Sequence, residues 1–95
     1  MGVLGIYQNN QKVKLVSFPK TKPGETSNIQ VKIINEANHY CQIESISILN
    51  SEVKIDSSPT GLEPKQSGIV SLTWNPIRDT IIPLKTKIIF NEVVG

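Results

Sequence analysis

The stretch from Leu62 to Pro76, LEPKQSGIVSLTWNP, constrains the fold of this chain more than any other. Glu63-Pro64-Lys65-Gln66-Ser67-Gly68 reads as a turn. It feeds an alternating segment with Val70, Leu72 and Trp74 on one face and Ser71 and Thr73 on the other. Asn75-Pro76 stops that segment, because proline has no N–H for a ladder and holds the residue before it extended. The expectation is a core strand ending in the chain's single tryptophan. Its shared parity with Val70 and Leu72 makes Trp74 a packing residue and not a binding aromatic.

The same period-2 signal recurs along the chain. Ser27 to Asn35 (SNIQVKIIN) directs Ile29, Val31 and Ile33 inward and Gln30 and Lys32 outward. Val13 to Phe18 changes parity between Leu15 and Val16, as happens at a bulge or where a strand passes between sheets. Tyr40 to Leu49 changes parity between Ile43 and Ile46, which predicts a bulge near Glu44-Ser45. Val53 to Asp56 is a further short strand, and Leu84 to Val94 is one long strand or two short ones. Asn9-Asn10-Gln11, Pro19 to Gly24, Glu36 to His39 and Ile77 to Pro83 are the turns and connections between them.

Hydrophobic residues are dominated by isoleucine and valine, whose restricted χ1 suits a pleated surface, and no helical stripe exceeds about two turns. The expected fold is all-β: an antiparallel immunoglobulin-like β-sandwich of about seven strands, formed by residues 1–95 as a single domain. Spacing alone leaves barrel closure open. At 95 residues such a domain buries enough surface for one core without staples. The one cysteine, Cys41, excludes an intrachain disulfide.

The order of signals resembles a family. Pro23-Gly24-Glu25-Thr26, a strand ending in Asn35, Ile43-Glu44-Ser45-Ile46, Leu62-Glu63-Pro64-Lys65-Gln66-Ser67, and Val70 to Trp74 with Pro76 are similar to the motifs of ASH domains. They also resemble the motifs of major sperm proteins, pilus chaperones and modules of prokaryotic surface proteins. Lys65 and Gln66 stand where that pattern often has glycine, and Trp74 where phenylalanine is commoner. The resemblance implies a noncatalytic scaffolding or assembly module and carries no catalytic residue with it.

Catalytic and metal chemistry find little footing. His39 and Cys41 share parity, but a structural zinc site needs four ligands and no second pair has metal-ligand spacing; an exposed turn histidine and a core cysteine are expected. A single histidine assembles no nucleophile–base–orienter set, no glycine-rich phosphate loop is present, and Asp56 and Glu63 flank a loop as solvated carboxylates. The expectation is a protein that is not an enzyme and has no cofactor or metal.

Charge is uneven. Residues 1–32 carry five lysines against Glu25 alone, a net of +4, and the remainder carries five cations against seven carboxylates, a net of −2. Lys12, Lys14, Lys20 and Lys22 form a candidate basic patch, but nucleic-acid surfaces add arginines and stacking aromatics, and this chain has one arginine and no aromatic-rich strand, so nucleic acid is not the expected partner. Solvated lysines blunting an edge strand is the reading preferred.

No apolar run reaches membrane-spanning length. Met1 to Gln8 has no basic n-region, so no secretion signal is read there, and Ile6 stands where a myristoylation site needs Ser or Thr. A cytoplasmic or virion setting is therefore favoured. The candidate interface lies at the apolar ends: Val3, Leu4, Ile6 and Tyr7 in an N-terminal segment (residues 1–10) suited to serve as an assembly strand, and Val93 and Val94 at the other end. The function expected is a structural or assembly subunit, of a virion or decoration layer for example, that contacts copies of itself or a larger partner. An intracellular adaptor that recognises a protein or peptide is the alternative, and a basic nucleic-acid-binding domain ranks behind it.

Overall fold

Alternating β-branched residues favour pleated backbone wherever turn residues do not interrupt them. The computed structural model, which describes residues 3–79 and 82–94, contains strands and no helix among those residues. In chain order the strands are β1 (Leu4–Gln8), β2 (Gln11–Lys12), β3 (Val16–Phe18), β4 (Ser27–Asn35), β5 (Cys41–Ile48), β6 (Val53–Ser57), β7 (Gly61–Leu62), β8 (Ser67–Trp74), β9 (Leu84–Thr86) and β10 (Ile88–Val94). Every pairing is antiparallel.

The two segments with the cleanest alternation, β4 and β8, pair with each other in register from Ser27↔Trp74 to Ile34↔Ser67. That register puts Val31 opposite Val70 and Ile29 opposite Leu72 on the inner face, the cross-strand pairing that stabilises a sheet. β1 and β6 flank this pair and β2 folds back on β1, giving the order β2-β1-β4-β8-β6. The β1–β2 turn is tight: Asn9 and Asn10 both have positive φ (53° and 64°), the conformation a two-residue type I′ hairpin requires and one that asparagine tolerates.

A second sheet runs β10-β5-β7, and β3 pairs with β9. One core lies between these layers. Val31, Ile33, Val70, Leu72 and Trp74 come from the five-stranded sheet; Cys41, Ile43, Leu62, Ile88, Val16 and Phe18 come from the opposing strands. Burial of each aliphatic side chain is worth roughly 1.5–3 kcal/mol relative to leaving it in water. The Phe18 and Trp74 rings meet with centroids 5.9 Å apart at 57°, and the Trp74 indole N–H donates to Glu52 Oε1 at 3.2 Å. The 19 Å short axis of the molecule suits two sheets about 10 Å apart with their outward side chains.

Both parity changes have structural causes. Between β2 and β3 the chain leaves the five-stranded sheet and joins β9, and Leu15 at the crossing is 44% exposed while Val16 is buried. In β5, Ile43 pairs with Glu92 and Ser45 with Asn91, so Glu44 is the extra residue of a bulge. The turn before β8 is shorter than expected: it closes at Gln66, whose N–H donates to Glu63 O at 3.0 Å, and Ser67 and Gly68 already pair with β4. Leu84 to Val94 divides at Lys87 into β9 and β10. The expected connection from Ile77 to Pro83 includes residues 80 and 81, which lie outside the described residues, as do Met1, Gly2 and Gly95. Among the described residues ten strands stand where about seven are expected, because β2 and β7, of two residues each, are too short to leave a period in the sequence and Leu84 to Val94 forms two strands.

Candidate interaction surface

A sheet edge presents unpaired N–H and C=O groups, and proteins blunt such edges by shortness, charge or bulges. Three edges here are blunted. β2 and β7 have two residues each, and β6 carries Lys54 and Asp56 and slips register between Ile55 and Ser57. The Thr73 hydroxyl donates to Asp56 Oδ2, tying that carboxylate to the sheet.

β10 is different. It has seven residues, IIFNEVV, and among the described residues it pairs with β5 along one side only. It contains no lysine or proline, its one charge is Glu92, its register against β5 shifts between Asn91 and Glu92, and Ile89, Val93 and Val94 are 41%, 47% and 40% exposed. Its inner parity sets Ile88 opposite Ile48 and Phe90 opposite Ile46. Just upstream, β9 is paired with β3 in an antiparallel register that sets Thr86 opposite Val16, so the β10 edge begins beyond the first residue of β3.

Beside this edge lies an open groove of about 740 Å³ between the two sheets. Leu4 and Ile6 of β1 form one wall, Ile88 and Phe90 of β10 the other, and Leu15 flanks it from the crossing between sheets. Its ends carry opposite charge. Lys14 and Lys87 line one end and, among the described residues, neither is paired with a carboxylate; Glu92 lines the other and accepts the Val3 N–H.

The residues singled out in the sequence are distributed as follows. Leu4 and Ile6 are half-buried groove residues, and β1 is a strand of the protein's own sheet, held between β2 and β4. Val3 meets Glu92, and Val93 and Val94 lie on the bare edge. Tyr7 faces elsewhere: its hydroxyl donates to Glu36 Oε2 at 2.9 Å, beside the Lys12–Glu36 ion pair at 2.8 Å. Lys12 and then Tyr7 hold the Glu36 carboxyl below its usual range. The same carboxylate raises Lys12 by pairing with its ammonium, and raises Tyr7 by accepting its hydrogen bond.

Of the four candidate basic residues, Lys12 is thus neutralised by Glu36 and Lys14 belongs to the groove. Lys20 and Lys22 sit in the loop after β3. His39 is exposed in a turn and Cys41 is fully buried, its thiol pushed up by burial and then by the nearby Glu92. Among the described residues no three His, Cys, Asp or Glu side chains cluster as a metal site, and no helix is long and apolar enough to cross a membrane. Trp74, at 1% exposure, is core.

Leu15, Lys87, Ile88, Phe90 and Glu92 were not identified as surface candidates from the sequence. Only the run of apolar residues in IIFNEVV hinted at them, and such a run reads equally well as a strand covered on both sides.

Together these features define an antiparallel all-β protein in which, among the described residues, the long apolar edge of β10 is uncovered. No family model matches the chain, and no match was found among curated proteins or solved structures.

Proposed function

We propose that this protein is a noncatalytic structural or assembly module of the immunoglobulin-like class, which joins a neighbouring chain through the β10 edge. The bare, seven-residue apolar β10 is the observation that carries this reading. Edge pairing supplies backbone hydrogen bonds for affinity and alternate side chains for specificity. The class assignment is supported by strand order: β1-β4-β8-β6 facing β5 and β10 follows the A-B-E-D over C-F layout of immunoglobulin sandwiches. In that layout a last strand lies beside F, and among the described residues β10 has none there. ASH-like and sperm-protein-like modules fit this class, as does a virion or decoration subunit.

The experiment is light scattering and sedimentation of the chain with its co-purifying partners, compared with Ile89→Lys and Val93→Lys combined. Both side chains are exposed on the outer face, opposite Ser47 and Gln42, so the fold should tolerate charge there. Loss of association with an unchanged unfolding midpoint supports the reading; association indifferent to both lysines overturns it. An adaptor that stays monomeric while holding a peptide would use the same edge, and the groove beside it favours keeping that alternative.

A further inference from the structure

We infer that the groove between β1 and β10 is an acceptor site for one extended segment of another protein, which enters antiparallel to β10 as an added strand. The segment alternates apolar residues and carries a carboxylate toward its C-terminal end. This rests on the proposed role of the β10 edge and specifies what that edge receives.

Shape, backbone and charge point to the same occupant. A strand lying along seven residues directs about three or four side chains to one face, and the floor of Leu4, Ile6, Ile88 and Phe90 is apolar enough to take them. Its backbone satisfies the outward row of β10 N–H and C=O groups, which an apolar small molecule filling the same volume would leave unmet. A folded second copy presenting its own β10 would pair with that row but leave the groove empty, since its inner Ile88 and Phe90 already pack in its own layers.

Charge then sets direction. Lys87 directly precedes β10 and Lys14 shares its end of the groove, both exposed and free of carboxylate partners among the described residues. Glu92 lies near the opposite end of the strand. Every pairing in this protein is antiparallel, so the incoming strand brings its C-terminal half to the two ammonium groups and its N-terminal half to Glu92. A terminal carboxylate there gains steering and register from the lysines, and a cation there is repelled.

The test uses a labelled peptide of about nine residues with valine at alternate positions, lysine at its N-terminal end and aspartate at its C-terminal end. A control peptide has the two charges exchanged. Binding to the full chain is followed by fluorescence anisotropy, and amide hydrogen exchange is read residue by residue. The expected result is saturable binding that slows exchange within Ile88–Val94, with the exchanged peptide about tenfold weaker. In the Lys14→Glu, Lys87→Glu double variant the preference between the two peptides should invert, an outcome that loss of folding cannot produce.

Absence of binding, binding that leaves β10 exchange unchanged, or equal affinity for both peptides in both proteins would overturn the inference. So would a dimer whose β10 amides are protected without peptide, because a second copy would then hold the edge. If the chain assembles through another surface while the peptide fails, a general assembly role survives and this inference falls. If the peptide protects β10 but the chain assembles with nothing, the inference stands and the assembly reading falls.

Discussion

Asn35 provides the sharpest test of how this fold is held together. The residue ends β4, is fully buried, and makes three side-chain hydrogen bonds. Its amide donates to His39 O at 2.8 Å and Leu62 O at 2.9 Å, and its Oδ1 accepts the Ala37 N–H at 3.0 Å. Its backbone N–H donates to Gln66 O, and its carbonyl accepts the Lys65 N–H. One side chain thus joins the end of β4, the turn that follows it and β7 of the opposite sheet.

Asn35→Ala leaves all three partners unmet. A buried unsatisfied group costs about 1–3 kcal/mol and a partly solvated one less, so the fully buried Leu62 carbonyl and the two part-buried groups together cost about 3–5 kcal/mol. That is a large share of the roughly 5–14 kcal/mol expected for 95 residues. Urea unfolding followed by Trp74 fluorescence measures it, since that single buried indole reports on the same core.

Asn35→Asp adds a pH signature. The carboxylate would face two carbonyls away from water, so its folded pKa lies above the unfolded value of about 3.9. A raised folded pKa means stability that is present below the unfolded pKa and lost as pH rises through the folded one. The deficit of this variant against the parent should therefore grow from about pH 4 toward neutrality. A loss below about 1 kcal/mol for the alanine variant, or a pH-independent deficit for the aspartate variant, would refute the role assigned to Asn35.

Trp74→Ala removes a buried ring together with its Phe18 contact and its bond to Glu52, and should cost about 3–5 kcal/mol in a circular-dichroism melt. If that variant stays as stable as the parent but loses a partner, Trp74 is an interface residue. Glu36 has a lowered folded pKa, caused first by Lys12 and then by Tyr7, so its contribution exists above the unfolded carboxylate range and disappears as pH falls through the folded pKa. The stability difference between the parent and Glu36→Gln should accordingly shrink on acidification from about pH 6 to pH 3, and a constant difference would contradict this. Lys65 holds φ of 65° at the third position of the turn closed by Gln66 N–H to Glu63 O, so glycine relieves about 1 kcal/mol of backbone strain. Lys65→Gly should therefore be neutral or slightly stabilising in urea despite losing the Lys65 Nζ bond to Glu36 O, and a loss above about 1 kcal/mol would show that the bond outweighs the strain.

Lys65 also shows that a residue other than glycine can hold a left-handed turn position. The backbone at this position is left-handed, the conformation that glycine adopts without strain, and here lysine holds it. Gly24, at φ 85° in the turn closed by Glu25 N–H to Lys22 O, follows the usual choice.

The sequence by itself determined the local facts. Strand identity in β4 and β8, the inward set of Val31, Ile33, Val70, Leu72 and Trp74, the handover at Leu15 and the bulge at Glu44 all follow from side-chain parity, which the order of residues records directly. Which strand lies beside which is not recorded there. IIFNEVV has the composition of a strand with neighbours on both sides, and the assembled sheets give β10 one among the described residues. β1 looked equally available for a partner until its pairing with β4 placed it inside its own sheet. Tertiary structure likewise brought Leu4 and Ile6 opposite Ile88 and Phe90, across more than eighty residues of chain, to form the groove. Parity is a property of neighbours in sequence, whereas an edge is defined by the strand that is missing from its side.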